Sequence, residues 1–309
     1  MNKNVIRLKN IYNELLGMSF KQYIGQIKTD VEGLTISLIE SINDEIMSDI
    51  FIINGKKPWS IGYNSYKWKG IKRYLEKDQF NDGNLSEGYG FRIDERIIEY
   101  PWLLSRLSKT EGTLLDAGSI LNYETILSCS PLLNKKIFIS TLAPERKCYW
   151  RRGVSYIFED LRNCCYRDNF FDCVVCISTL EHIGLDNTML YTNDPSKKEN
   201  ENCSHLSAVK DFHRILKPGG TLFITTPYGQ YMNHGWFQVF DEEMVNTIIN
   251  TFNPSSYLET HFRYLPQGWQ KSSRILSKDA TFFDIHSQKN YNRDFAACSR
   301  AIVCLEMIK

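Results

Sequence analysis

One run constrains the fold more than any other: Gly112-Thr113-Leu114-Leu115-Asp116-Ala117-Gly118-Ser119. A short apolar, β-prone segment stops at an acid and then turns through a glycine and a serine. A helix-like segment, 123–129, follows at once. Strand, tight turn and helix in that order place the turn at the carboxyl edge of a parallel sheet, where open α/β folds bind their ligands. Alone the run says little, because many buried strands end at Asp-x-Gly. Two later stretches, around Glu159-Asp160-Leu161 and Ser178-Thr179-Leu180-Glu181-His182-Ile183-Gly184, repeat the same grammar with acids and an imidazole at the strand ends.

From Gly112 onward the alternation of strands and helices is regular. Strands are predicted at 112–116, 136–141, 154–158, 171–178 and 221–226, with two more at 257–264 and 301–308. A helix over 207–216 is closed by Lys217-Pro218-Gly219-Gly220, since proline cannot continue it and glycine takes the left-handed conformation that ends it. Asp241 caps another helix that runs to about 252, with Glu242 and Glu243 in its first turn. Pro101 suits the first turn of a helix over 102–107. The loop 184–204 is long and polar, the property of lids and of disordered segments. This rhythm predicts an α/β fold, a doubly wound parallel sheet.

Residues 1–95 have a different texture and are expected to form an N-terminal helical cap over the domain at 96–309. Apolar residues recur at helical spacing over 5–16 and again over 34–50, and an amphipathic helix needs a partner surface. Between Pro58 and Lys77, Trp59, Tyr63, Tyr66, Trp68 and Tyr74 interleave with Lys67, Lys69, Lys72 and Arg73. That segment reads either as a surface gripping a phosphate or sugar, or as a solvated basic face whose aromatics dock on the main domain. The turn Asn81-Asp82-Gly83-Asn84 marks a boundary.

Composition removes several classes. A net charge of +1 gives no whole-molecule field for nucleic acid or an anionic membrane. No run of about 18 apolar residues predicts a membrane span, and the start of the chain lacks the apolar core of a signal peptide. The nine cysteines form no framework. Cys173 and Cys176 lie on one predicted strand, whose alternation would separate them, so buried thiols are expected rather than a metal site. Reduced thiols imply a cytoplasmic location.

The first turn also selects the ligand. A dinucleotide site needs repeated glycines to approach a pyrophosphate, but Ile120 and Asn122 stand two and four positions after Gly118. An adenosine ligand without phosphates fits better, with an acid at 159–160 to accept from the adenine amine. The runs at 114–119, 160–172, 178–184 and 216–228 together resemble the successive motifs of class I S-adenosylmethionine-dependent methyltransferases, and the last two strands would supply that family's terminal hairpin. The resemblance implies a Rossmann-like seven-stranded sheet and S-adenosyl-L-methionine as cofactor. It implies that Asp116, Gly118 and Ser119 line the methionine part, that Asp160 with Leu161 holds the adenine, and that Ser178 closes the pocket floor. Glu99 and Tyr100 are expected close to the cofactor. The chain departs from the pattern at the glycine loop, where only Gly118 remains, and at the end of the second strand. There Thr141-Leu142-Ala143-Pro144 replaces the usual ribose-binding acid, with Glu145 nearest.

The function expected is O-methylation of a small molecule, a sugar or nucleotide-linked sugar of glycan biosynthesis. A hydroxyl acceptor needs a base within hydrogen-bond reach. His182, on a rigid strand end, is preferred to His234, which lies in a glycine-flanked loop. Glu181 either orients the site or joins His182 on a divalent metal, although no metal is expected. The alternatives are an RNA or protein methyltransferase that uses the aromatic and basic segment, and a catalytically weak scaffold that keeps the fold.

Overall fold

A computed structural model describes residues 43–76, 80–83, 85–192, 194–284 and 298–309. The helix expected over 5–16 and the start of that over 34–50 lie outside them. Among the described residues three helices precede the sheet: α1 (43–53), α2 (Tyr63–Glu76) and α3 (Arg96–Arg106). The strands are β1 (Gly112–Ala117), β2 (Lys135–Thr141), β3 (Ser155–Phe158), β4 (Phe171–Ile177) and β5 (Leu216–Pro227). They are followed by the two-residue strands β6 (Met232–Asn233) and β7 (Gln238–Val239), then β8 (Ser256–Leu265), β9 (Gly268–Ser272) and β10 (Ala301–Ile308). Helix α4 (His205–Ile215) leads into β5, and α5 (Glu242–Phe252) precedes β8.

The main sheet has the order β3-β2-β1-β4-β5-β10-β8-β9. Neighbours among β1 to β5 pair in parallel, and β10 inserts antiparallel between β5 and β8. The chain order reverses between β1 and β4, which opens a crevice at the carboxyl edge of both strands. Alternation along the strands assigns the two faces. Leu114, Cys173 and Val175 point into the core shared with α3, whereas Leu115, Val174 and Cys176 pack on the α4 and α5 side. Cys173 and Cys176 therefore lie on opposite faces.

Three elements differ from the sequence expectation. The segment Lys217-Pro218-Gly219-Gly220 does not separate helix from strand but bulges inside β5. Pairing jumps from Phe171–Leu216 to Cys173–Thr221, and Gly219 (φ +76°) donates its N–H to Lys309 O. The eighth strand, β9, carries only Trp269 as a large apolar residue, too little for a period-2 signal. Trp269 Nε1 donates to Ile93 O at 2.9 Å and its backbone N to Tyr89 O at 2.8 Å, which fixes β9 to the segment ahead of α3.

The third is α3, which starts at Arg96 rather than Trp102, with Pro101 inside the helix. Proline at that position removes the N–H that would bond Ile97 O, normally a cost of about 3 kcal/mol. The Tyr89 hydroxyl donates to that carbonyl instead, at 2.9 Å, in a buried setting. A side chain outside the helix thus replaces the missing backbone donor.

The aromatics of α2 dock on the domain. Trp68 stacks on Tyr100 (5.7 Å) and meets Tyr123 (4.6 Å), while Tyr74 meets Tyr89 (4.2 Å). Lys67 is spent on Asp94 at 2.7 Å in a largely buried pair, and Asp94 N donates to Tyr63 Oη. Ile71, Tyr89 and Ile93 share one core with α3 and the sheet.

The α3 geometry predicts a specific coupling. Tyr89→Phe should lower unfolding free energy by about 1–3 kcal/mol, because a buried carbonyl loses its donor. In a Pro101→Ala background the restored N–H can serve Ile97 O, so the same substitution should cost much less. Urea unfolding of the four proteins reads this, and an equal cost in both backgrounds would refute it.

Candidate functional site

A cavity of about 280 Å³ opens at the carboxyl edge of β1, β2 and β4. Its walls come from the turn after β1 (Gly118, Ile120), the end of β2 (Thr141, Leu142, Ala143) and the stretch after β3 (Asp160, Leu161, Arg162). The turn after β4 adds Ser178, Thr179 and His182, the loop 184–204 closes one side, and Arg96 of α3 stands at another. Of the residues expected at the site, Gly118, Asp160, Leu161, Ser178 and His182 line this cavity. Glu99, Tyr100, Asp116, Ser119, Glu181 and His234 do not.

The turn after β1 is built by backbone constraints. Gly118 has φ +118°, and a Cβ there would lie 2.1 Å from Thr179 Oγ1. Only glycine fits, because the turns after β1 and β4 touch at this point. Asp116 is fully buried and accepts from the backbone N–H of Ile120 (3.1 Å) and Leu121 (2.8 Å). It shapes the turn from beneath instead of facing a ligand, and burial pushes its pKa up to about 7. Ser119 is held at φ +64°, with its hydroxyl buried. Tyr100 braces the same turn by donating to Ile120 O at 2.8 Å. Ile120 stands where a second glycine was looked for, lines the cavity and packs against the core shared with α3.

Glu99 is also completely buried. One carboxylate oxygen accepts from the hydroxyls of Ser178 (2.6 Å) and Thr225 (2.5 Å), and the other from the Arg96 guanidinium. It joins α3 to the ends of β4 and β5 and does not reach the cavity. Ser178 has φ +40°, a conformation that costs a non-glycine residue energy and recurs at functional sites. Its N–H bonds Thr225 O at 2.9 Å.

At the other end Asp160 receives the Arg162 guanidinium on both oxygens, at 2.5–3.0 Å, and the Arg162 backbone N at 2.9 Å. Burial would raise its pKa, but these bonds outweigh it and lower the pKa, so it is an anion at neutral pH. Arg162 also holds Glu199 of the loop 184–204 at 2.6 Å. That loop is folded, with Glu201 N bonded to Gly184 O at 2.7 Å. The end of β2 offers no carboxylate to the cavity. Glu145 accepts instead from Asn122 Nδ2 at 2.9 Å.

The two histidines have different settings. His182 Nδ1 lies 3.0 Å from Trp236 O. A carbonyl only accepts, so Nδ1 carries the proton and Nε2 keeps its lone pair. Burial pulls the pKa down to about 4, leaving the ring neutral. His234 stacks flat on Phe237 (4.3 Å, 5°), and its Nδ1 is 3.7 Å from Asp284 Oδ2. The aromatic loop thus packs His234 inward, away from the cavity. Glu181 is buried, with Oε2 unpartnered among the described residues, and burial pushes its pKa well up. No hydrogen bond among the described residues joins Glu181 to the His182 imidazole, whose Nδ1 is taken by Trp236 O. Among the described residues no group of three or more His, Cys, Asp or Glu could hold a metal ion.

Arg96 was missed because the sequence placed the start of its helix six residues too late. The cavity carries the Arg96 guanidinium at one end and the Asp160 carboxylate at the other. Thr141, Leu142, Ala143 and Leu161 supply a largely apolar wall between them.

Residues 138–224, from β2 to the middle of β5, match the family described as "Methyltransferase domain". No curated protein matches the sequence. Among solved structures, similarity is found to 1,6-didemethyltoxoflavin-N1-methyltransferase of Burkholderia thailandensis with bound S-adenosylhomocysteine, at 12% identity over 70% of this chain and 79% of that one, TM-score 0.41. It is also found to N-methyltransferase NodS of Bradyrhizobium japonicum, at 12% identity over 77% of this chain and 98% of that one, TM-score 0.37. At these scores the likenesses say nothing about the acceptor. The matched segment supplies β2, β3, β4 and most of β5, strands of the sheet that borders the crevice at the β1–β4 reversal.

Proposed function

We propose that the chain is a class I S-adenosylmethionine-dependent methyltransferase that acts on a hydroxyl of a small molecule, a sugar or nucleotide-linked sugar, with His182 as the base. The observation that carries the reading is the fixed tautomer of His182: a neutral imidazole on the cavity wall, with its lone pair left on Nε2. The cofactor supplies an electrophilic methyl group on a sulfonium. An alcohol oxygen becomes an adequate nucleophile for it only as its proton leaves, and Nε2 is the acceptor for that proton. The Nδ1–H bond to the Trp236 carbonyl steadies the ring as positive charge develops. Trp236 lies 5.0 Å from the imidazole, and Tyr231 is exposed in the same loop, giving aromatic surface on which a sugar ring can stack.

For the cofactor we assign Gly118 and Ser178 to the methionine side and Asp160 with Leu161 to the adenine. We retain the division near residue 95, with α1 and α2 as a helical cap. The acceptor class is tested by incubation with methyl-labelled cofactor and panels of sugars, nucleotide sugars and amines. Label in a base-stable methyl ether supports the reading, and label in amines alone overturns it.

Asp160→Ala should weaken binding of S-adenosylhomocysteine by roughly ten- to a hundredfold, the usual effect of losing a hydrogen bond to a charged group. Calorimetry measures this, and unchanged affinity would remove Asp160 from the adenine.

His182→Ala should keep cofactor affinity and lose turnover by about a hundredfold or more. Because burial lowers the His182 pKa to about 4, the base form persists as pH falls through 6.5, where an ordinary histidine would protonate. The acid limb of kcat/KM in the wild type should therefore lie below about pH 5. A limb centred near 6.5 would contradict the assignment.

A further inference from the structure

Two cations line the cavity, Arg96 and Arg162. Arg162 is held by two carboxylates, since its Nε and Nη2 go to Asp160 and Nη2 also to Glu199, which offset its charge. Arg96 differs. Its guanidinium gives one hydrogen bond among the described residues, from Nη1 to Glu99, and its side chain keeps 20% exposure toward the cavity. A guanidinium has five N–H donors in a planar fork, so most of its donors remain for a ligand. It stands on the Gly118 and Ser178 side, away from the Asp160 end. S-adenosylmethionine carries no phosphate, and its single anionic group is the α-carboxylate of the methionine part.

We infer that Arg96 is the residue that docks the α-carboxylate of the cofactor, and that Glu99 is the positioning residue that holds its fork in place. The inference rests on the reading that this cavity holds S-adenosylmethionine. Glu99 suits the role because it is itself fixed at three points. The Ser178 and Thr225 hydroxyls occupy one oxygen, and the Arg96 guanidinium takes the other. The fork is thus set by the ends of β4 and β5, the same strand ends that shape the cavity. Glu95, Asp94, Glu181 and Asp116 are the other acids near the guanidinium, and Asp116 already accepts from the Ile120 and Leu121 N–H groups. Asp94 is neutralised by Lys67 at 2.7 Å. Burial pushes Glu95 up to about 8 and raises Glu181 well above the usual carboxylate range, which weakens both as competitors for Arg96. A docked carboxylate completes an Arg bridging two carboxylates, a charge-assisted arrangement with geometric specificity.

The test is a set of calorimetric titrations with three ligands. S-adenosylhomocysteine carries the carboxylate. Its decarboxylated analogue keeps the ammonium but lacks the carboxylate, and 5′-methylthioadenosine lacks the whole amino-acid end. Arg96→Gln should weaken S-adenosylhomocysteine binding about ten- to a hundredfold. It should leave the affinities for the other two ligands unchanged, and these also report that the variant is folded. Glu99→Gln, which keeps acceptors for Ser178 and Thr225, should show the same split to a smaller degree. Unchanged affinity of Arg96→Gln for S-adenosylhomocysteine, or equal weakening of all three ligands, would overturn the inference. Wild-type protein that binds none of the three would instead remove the cofactor reading on which it rests.

Discussion

A carboxylate buried without partners costs several kcal/mol, and Glu99 is buried completely. Its three hydrogen bonds are therefore a requirement, and each comes from a different part of the chain. Ser178 ends β4, Thr225 lies in β5, and Arg96 opens the helix that precedes the first strand. Satisfying one acid registers the N-terminal helix on the sheet and holds Ser178 in its left-handed conformation. Removing the acid alone would leave Arg96 without its partner, a loss of about 3–5 kcal/mol for a buried pair.

The turn after β1 follows the same logic at backbone level. Asp116 supplies acceptors to two N–H groups that the reversal of the chain leaves free, and Gly118 makes room for Thr179. A second glycine is not needed for this contact, since Tyr100 holds the Ile120 carbonyl from the far side. The chain thus keeps the shape of a nucleoside-binding turn with one glycine, and the side-chain contacts come from α3.

The sheet was legible because its signal is local: strands with apolar runs, ended by turn residues, alternating with amphipathic helices. Gly118, Asp160, Leu161, Ser178 and His182 were legible for the same reason, each standing at or just beyond a predicted strand end. Arg96, Glu99 and Tyr100 show where that reasoning stops. Their roles depend on the real start of α3, which Pro101 masks, and on a hydroxyl from Tyr89 that no pattern in the helix announces. His234 and Glu181 carried the right chemistry in the right loops. Yet side-chain direction decides whether such groups face a cavity or a core, and alternation does not fix it in irregular segments. The strand β9 was invisible because one tryptophan and two tertiary hydrogen bonds stand in for a pattern.

The central claim is that the crevice at the β1–β4 reversal is the cofactor site, bounded by Arg96 and Asp160. Amide hydrogen exchange with and without S-adenosylhomocysteine tests it most directly. Protection should rise at 118–122, 161–163 and 178–187, the backbone that forms the cavity, while the β8–β9 hairpin exchanges as before. Protection confined to that hairpin, or no change around the cavity at saturating ligand, would contradict the account.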